Sequence, residues 1–326
     1  MNILVVDLLS PAKHKKFNSK MIFHMKQVAH IEFLCEKRNE DKQVKNFFFP
    51  EEYRSGNILY RKVNLYLKTL YAFKMQEKNN YDIIYFITYD SIATGFYFLL
   101  HKQKVKILVH EHKNIDEVNK SFIKRVIYKN IKISTHIVYE KYFGQFINKK
   151  YNKNFHVISH PTYEIKLNDS NNNNPFIFSP GANIDIKYKN DLTAFCRKNR
   201  LNIFLKDDKY FKDKFVTKSN FFDNYQDLID KANYIFISNN FQYRASGIMY
   251  EALSMNKKII CTESYFATKL KEEYPENIVI IKDINEISFL LDNENNINDL
   301  KNNDFNKKHS DKVIIDQYKS IFESLQ

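Results

Sequence analysis

The stretch "YRASGIMYEALSMNKKIICTES", Tyr243–Ser264, contains a loop, a helix and a strand in direct succession. Ile248, Met249, Leu253 and Met255 recur at helical spacing. Ser246 stands where an N-cap belongs, and Asn256 where a left-handed residue would end the helix. "KKIICT" (257–262) then reads as a buried strand, and "NYIFISNN" just before the stretch reads as another. Strand, helix and strand in this order predict a parallel sheet covered by helices.

The same alternation extends outward in both directions. Strands are expected at 2–9, 31–37, 82–88, 106–112, 136–141 and 155–161, with helices at 20–29 and 58–77. The Asn-rich "LNDSNNNNPF" (167–176) reads as a linker. Strands resume at 176–181, 202–206, 234–238, 257–262 and 277–281, with a helix near 189–199. A second Asn-rich stretch, 292–308, reads as a surface loop or a poor helix. Ser310 caps a last helix with Val313, Ile314, Tyr318, Ile321, Phe322 and Leu325 on one face. The expected fold class is α/β: two Rossmann-like domains facing across a cleft. The expected boundaries are 1–165 and 176–309, a linker at 166–175, and a terminal helix, 310–326, returning to the first domain.

The length of 326 residues suits two domains of roughly 150 residues each. The net charge of +13 favours anionic partners and is spread along the chain. Cys35, Cys196 and Cys261 are far apart and form no CxxC pair, which argues against a thiolate zinc site or a disulfide framework. The first residues lack a charged segment before their apolar run, so they read as a strand and not as a signal peptide. No run reaches the ~18 apolar residues of a membrane span. The expected location is the cytoplasm or the inner face of the cell membrane. The five glycines never approach GxGxxG, Walker or GxSxG spacing, and no D-x-D pair exists to clasp a metal-bound diphosphate.

A diphosphate must then be held without such loops, and a helix N-terminus is the available device. Ser246 and Gly247 would offer backbone N–H groups. Glu251, one turn further in, leans back toward that end. Its carboxylate suits ribose hydroxyls better than phosphate.

These residues resemble the donor-site motif of GT-B glycosyltransferases, in particular the retaining family 4-like group. That motif has two acids eight positions apart, a loop glycine, and a run like "YEALSMNKKII". Glu251 occupies the second acidic position, which the resemblance assigns to the nucleotide ribose. Tyr243 occupies the first, where relatives place an acid on the transferred sugar. Gly247 is shifted by one position, and Asn256 replaces the usual glycine. "FIFSPGANIDIK" resembles the family's diphosphate loop. There Gly181 and Lys187 match, Ala182 replaces an arginine, and Arg244 can supply the missing guanidinium. "YQDLIDKANYIFIS" resembles the stretch that precedes the donor loop. His160-Pro161 falls at the domain crossover, and "DKVIIDQYKSIF" resembles the helix that crosses back.

The resemblance implies a metal-independent hexosyltransferase of bacterial surface-polysaccharide synthesis, with no cofactor and a UDP- or GDP-linked sugar as donor. The implied acceptor is a glycan or a polyprenyl-diphosphate-linked glycan. The loss of the first acid leaves retention and inversion both open. His110 and His112, at the end of a first-domain strand, are the candidate catalytic residues. Lys13, Lys15 and Lys16 are candidates to meet a phosphorylated acceptor. The run 119–134 sets Phe122, Val126, Ile127 and Ile131 against Lys120, Lys124, Arg125, Lys129 and Lys132, a pattern suited to an anionic membrane surface. Two other readings remain: a sugar-nucleotide epimerase or phosphorylase on the same fold, and a basic nucleic-acid binder. No nucleic-acid motif is present, so nucleic acid is not an expected partner.

Overall fold

The computed structural model describes residues 1–10, 14–51, 58–102, 104–131, 133, 135–162, 175–181, 184–288 and 303–326. Lys13, Lys132, Ala182, linker residues 166–174 and most of the second Asn-rich stretch lie outside them. The chain divides into two compact units. Unit 1 comprises Met1–Pro161, Tyr243–Ala245 and His309–Gln326, and unit 2 comprises Thr162–Gln242 and Ser246–Lys308.

Unit 1 is built on β1 (Asn2–Asp7), β2 (His30–Cys35), β3 (Lys45–Phe48), β4 (Ile83–Thr88), β5 (Lys106–His110), β6 (Thr135–Val138) and β7 (Phe155–Val157). All pairings are parallel, in the order β3-β2-β1-β4-β5-β6-β7. The helices are α1 (Lys15–Met25), α2 (Ile58–Asn79), α3 (Ala93–Leu100), α4 (Asn114–Lys120), α5 (Phe122–Asn130) and α6 (Lys141–Tyr151). β4 is buried along its whole length, as its unbroken "IIYFIT" requires of a strand covered on both faces.

Unit 2 repeats the plan. Its strands are β8 (Phe176–Ser179), β9 (Asn202–Lys206), β10 (Phe211–Lys212), β11 (Val216–Ser219), β12 (Tyr234–Ile237), β13 (Lys258–Thr262) and β14 (Ile278–Ile281). Their order is β10-β11-β9-β8-β12-β13-β14, parallel except for the β10–β11 edge hairpin. The helices are α7 (Ile186–Lys198), α8 (Tyr225–Lys231), α9 (Gly247–Ser254), α10 (Tyr265–Glu273) and α11 (Asn303–Lys308). A final helix, α12 (Asp311–Ser324), belongs to unit 1.

The α12 helix returns as expected. Ser310 caps it by accepting from Val313 N. Ile314, Tyr318, Ile321 and Phe322 enter the same core as Ile3, Val5, Phe33 and Tyr85. Each such burial contributes roughly 1.5–3 kcal/mol before chain entropy is charged against it. Lys20 and His24 of α1 both reach Asp311, at 2.7 and 2.8 Å, and fix the start of α12.

Several local expectations are corrected. β1 ends at Asp7, because that carboxylate turns the chain: it accepts from Ser10 N at 3.0 Å and from the Thr88 hydroxyl. β6 and β7 stop at Val138 and Val157, short of the expected 141 and 161. β3, β10 and β11 were not foreseen. α1 starts at Lys15, five residues before the expected helix. The basic run 119–134 is broken at Ser121, which caps α5 by accepting from Lys124 N at 3.4 Å. All three cysteines are free and buried, and burial raises each thiol to about 12.

Candidate functional site

In each unit the strand order reverses direction beside the first strand, at β1/β4 in unit 1 and at β8/β12 in unit 2. Ligands of open α/β sheets sit at the carboxyl ends of strands at such a switch. In unit 2 the two strand ends are tied by Ser179, whose hydroxyl donates to Phe236 O at 3.0 Å. Gly181 is buried just beyond β8, and among the described residues a Cβ there would meet nothing closer than Ile184 at 3.9 Å. The packing of the protein itself therefore does not demand a glycine at this position. Lys187 is exposed in the first turn of α7, whose cap Asp185 accepts from Lys187 N at 2.9 Å. The Ser238 hydroxyl, at the end of β12, is buried without a partner among the described residues.

The helix that follows this switch is α9. Ser246 is buried and accepts from Met249 N at 3.4 Å, which fixes the helix start. Gly247 is exposed at the first turn. Helix geometry leaves the N–H groups of Gly247 and Ile248 without intrahelical acceptors. Asn256 ends the helix with φ 55°, the left-handed conformation expected of it. Glu251 is half-buried, and the Tyr225 hydroxyl of α8 donates to its Oε2 at 3.1 Å. Tyr225 was not among the expected site residues. Its signal, an aromatic at the start of "YQDLIDK", reads equally well as packing, and it does stack edge-on against Phe178. Gly181, Lys187, Ser246, Gly247 and Glu251 thus fall together on unit 2. A cavity of about 420 Å³ in the same unit is lined by Phe176, Asn202, Lys212, Lys214 and Lys231 among others. It opens at the opposite, amino ends of β8 and β9 and includes none of these five residues.

The remaining four candidates belong to unit 1. Strand alternation sends His110 and His112 to one side of β5 and Glu111 to the other. Glu111 is fully buried and accepts from Tyr89 and Tyr128 at 2.8 and 3.0 Å; it also pairs with His136 at 2.7 Å. On the other side, the His110 and His112 rings stack at 4.5 Å with 16° between planes. His110 is fully buried and bonded to the Tyr85 hydroxyl through Nδ1 at 2.8 Å. Burial lowers its pKa to about 3. His112 is half-buried and hydrogen-bonded to the backbone of Ile87, and its Nε2 is a buried atom without a partner among the described residues. Burial holds it well below the usual histidine range. His14 lies beside it with ring centroids 5.7 Å apart, and Phe17 at 5.5 Å. His160 packs on Tyr139 at 4.8 Å, and burial lowers it to about 3. The result is a set of uncharged imidazoles around aromatic rings. Sequence reasoning did not connect His14 or His160 with the "HEH" pair, because only the fold brings the ends of β1, β5 and β7 together. Among the described residues, no group of three or more His, Cys, Asp or Glu is placed to hold a metal ion.

Tyr243 and Arg244, expected in the donor set, make their contacts in unit 1. Tyr243 N donates to Asp116 Oδ1 at 2.7 Å, and its ring stacks on Phe146 at 3.9 Å. Arg244 is half-buried, with burial lowering its pKa against the pull of Asp116 and Glu117.

Two seven-stranded α/β units, parallel but for one edge hairpin, with a returning terminal helix define the GT-B architecture. Solved structures of that kind match the chain over nearly its whole length. HepE of Anabaena, solved with UDP-glucose, matches with a TM-score of 0.68 at 13% identity, covering 99% of this chain and 100% of that one. A glycosyltransferase of Rickettsia africae matches at 0.64 and 11% identity, covering 99% and 98%. A UDP-N-acetylglucosamine 2-epimerase matches at 0.60 and 12% identity, covering 99% and 94%. At such identities the likeness establishes the fold. No family model matches the chain, and no curated protein matches it in sequence.

Proposed function

We propose that this chain is a metal-independent glycosyltransferase that moves a hexose from a nucleotide-diphosphate sugar to a hydroxyl of a glycan or lipid-linked glycan, in bacterial surface-polysaccharide synthesis. The observation that carries the reading is the start of α9 at the β8/β12 switch. It combines a capped, open helix end with a carboxylate one turn in, held by Tyr225. The N–H groups of Gly247 and Ile248, with the Lys187 ammonium, take the diphosphate. They stabilise the charge that grows on the leaving oxygen as the sugar–phosphate bond breaks. Glu251 accepts from the two ribose hydroxyls, with charge-assisted hydrogen bonds stronger than neutral ones. The UDP-glucose bound to HepE favours uridine as the base.

In unit 1, His112 is the residue we assign to catalysis, with its imidazole kept uncharged by burial. His110 acts from beneath as a positioning residue, since its ring is buried and supports His112 by stacking. Neutral imidazoles suit a neutral sugar, because a buried cation would need a counter-charge. Retention at the anomeric carbon is the outcome we assign, after the family that the donor motif resembles.

The fold match to the 2-epimerase favours a second reading, turnover of the sugar nucleotide alone. A thermal-shift screen with UDP, GDP, CDP and their sugars, followed by turnover assays with and without a hydroxyl acceptor, separates the two. Transfer requires the acceptor, whereas isomerisation proceeds without it. Stabilisation by none of these nucleotides contradicts both.

A further inference from the structure

The helices α3 and α5 of unit 1 pack against each other so closely that a Cβ on Gly95 would overlap Ile127. Each also carries large apolar side chains on its outer side. Phe122 is 74% exposed, Leu100 69% and Ile123 61%, with Phe96, Leu99 and Val126 also exposed. The sequence pattern sets Phe122, Val126, Ile127 and Ile131 together against the basic residues of 119–134. The structure divides them: Ile127 and Ile131 are buried, and Phe122 and Val126 face outward. α5 is therefore apolar on two sides, and among the described residues the outer side covers no core. Exposed apolar patches of this kind mark contact surfaces.

Along α3 and α5 themselves the charge has one sign; Glu117 of the neighbouring α4 is taken up by Lys113 and Lys124. No acid occurs between Ser91 and His110, or between Val118 and Ile131. Lys102 and Lys104 follow α3, and Lys120, Arg125 and Lys129 flank or lie on α5; all five are exposed. Apolar side chains ringed by cations match a bilayer whose headgroups are anionic: the rings and methyls enter the interface, and the ammonium groups meet the phosphates. A second copy of the chain fits poorly. Two-fold packing of this face would set the same cations against each other. Among the described residues, no helix is long and apolar enough to cross a membrane, so any attachment by these helices is peripheral.

We infer that the exposed α3–α5 face of unit 1 is a docking surface for an anionic lipid bilayer. The inference stands independently of the donor site and applies whether or not the chain transfers a sugar.

The test uses the full chain and co-sedimentation with phosphatidylcholine vesicles, with and without a phosphatidylglycerol fraction. The chain is expected to bind the anionic vesicles, less tightly at high salt, and the neutral ones weakly. Phe122→Ser/Ile123→Ser/Val126→Ser and Lys120→Glu/Lys129→Glu should each lower partitioning by about tenfold or more. The control Lys212→Glu/Lys214→Glu, on unit 2, makes the same change in net charge and should leave most of the binding. All three variants should keep the parent's melting temperature within a few degrees, because the replaced residues are exposed. Three results would overturn the inference. The first is a failure of the chain to bind anionic vesicles. The second is a control that loses as much binding as the α5 variants, which would mark a generic effect of the +13 charge. The third is a concentration-dependent dimer of the parent that the serine variant abolishes, without vesicle binding, which would assign the face to a second copy.

Discussion

The Tyr225 hydroxyl donates to Glu251 Oε2 at 3.1 Å, linking α8 to α9 beside the carboxyl ends of β8 and β12. The bond aims a half-buried carboxylate without neutralising it. Tyr225→Phe keeps the ring that packs on Phe178 and removes only the hydroxyl. The variant should fold normally and bind UDP about three- to tenfold more weakly, less than a full hydrogen bond to a charged group, because the hydroxyl only orients the carboxylate that grips the ligand. Calorimetric affinity beside an unchanged melting temperature is the check.

Ser246 separates helix stability from anion binding. Ser246→Ala removes the cap on Met249 N and should cost about 1 kcal/mol in a denaturant titration. Ser246→Asp restores a good cap but places a carboxylate at the anion site. It should recover the stability of the parent while nucleotide affinity falls further than in the alanine variant. Parallel melts and titrations read both quantities.

The buried histidines predict an acid-labile fold. The pKa of His110 is depressed in the folded state to about 3, against an ordinary value near 6.5 in the unfolded chain. Between those values only the unfolded chain takes the proton. The stabilisation is complete above about pH 6.5 and is lost as the pH falls toward 3. The slope is roughly 1.4 kcal/mol per pH unit for this residue. His14, His112 and His160 are depressed in the same direction. Urea midpoints at pH 5 and 7 should therefore differ, and His110→Asn should narrow the gap.

Gly144 tests the packing of unit 1. It lies on α6 where the Phe155 ring of β7 fills the space a side chain would need. Gly144→Ala should destabilise by about 1–3 kcal/mol, as overpacking does. Gly181→Ala, whose Cβ meets Ile184 at 3.9 Å, should leave stability nearly unchanged. Thermal melts compare the two directly.

The sequence revealed the central strands because their apolar runs are unbroken and both faces are buried, as in β4 and β12. It also revealed the Ser246 and Ser310 caps and the left-handed Asn256, since those depend on residues near in the chain. It did not reveal β3, β10 or β11, which are short and part-exposed and lack a clean period. The start of α1 was hidden for another reason: Asn18 reaches back to Asp7 Oδ2 at 2.8 Å, a contact that no periodicity encodes. The Tyr225–Glu251 bond and the gathering of His14, His112 and His160 likewise join distant segments. At α5 helical spacing grouped four apolar residues on one face, whereas the structure buries Ile127 and Ile131 and exposes Phe122 and Val126.

The central claim is that the start of α9 grips a nucleotide diphosphate while Glu251 grips its ribose. The direct measurement is a calorimetric titration of UDP into the parent chain and into Glu251→Ala. The account predicts binding to the parent and a loss of about a hundredfold in the variant, the scale of two charge-assisted hydrogen bonds. Equal affinity in the two proteins would contradict it.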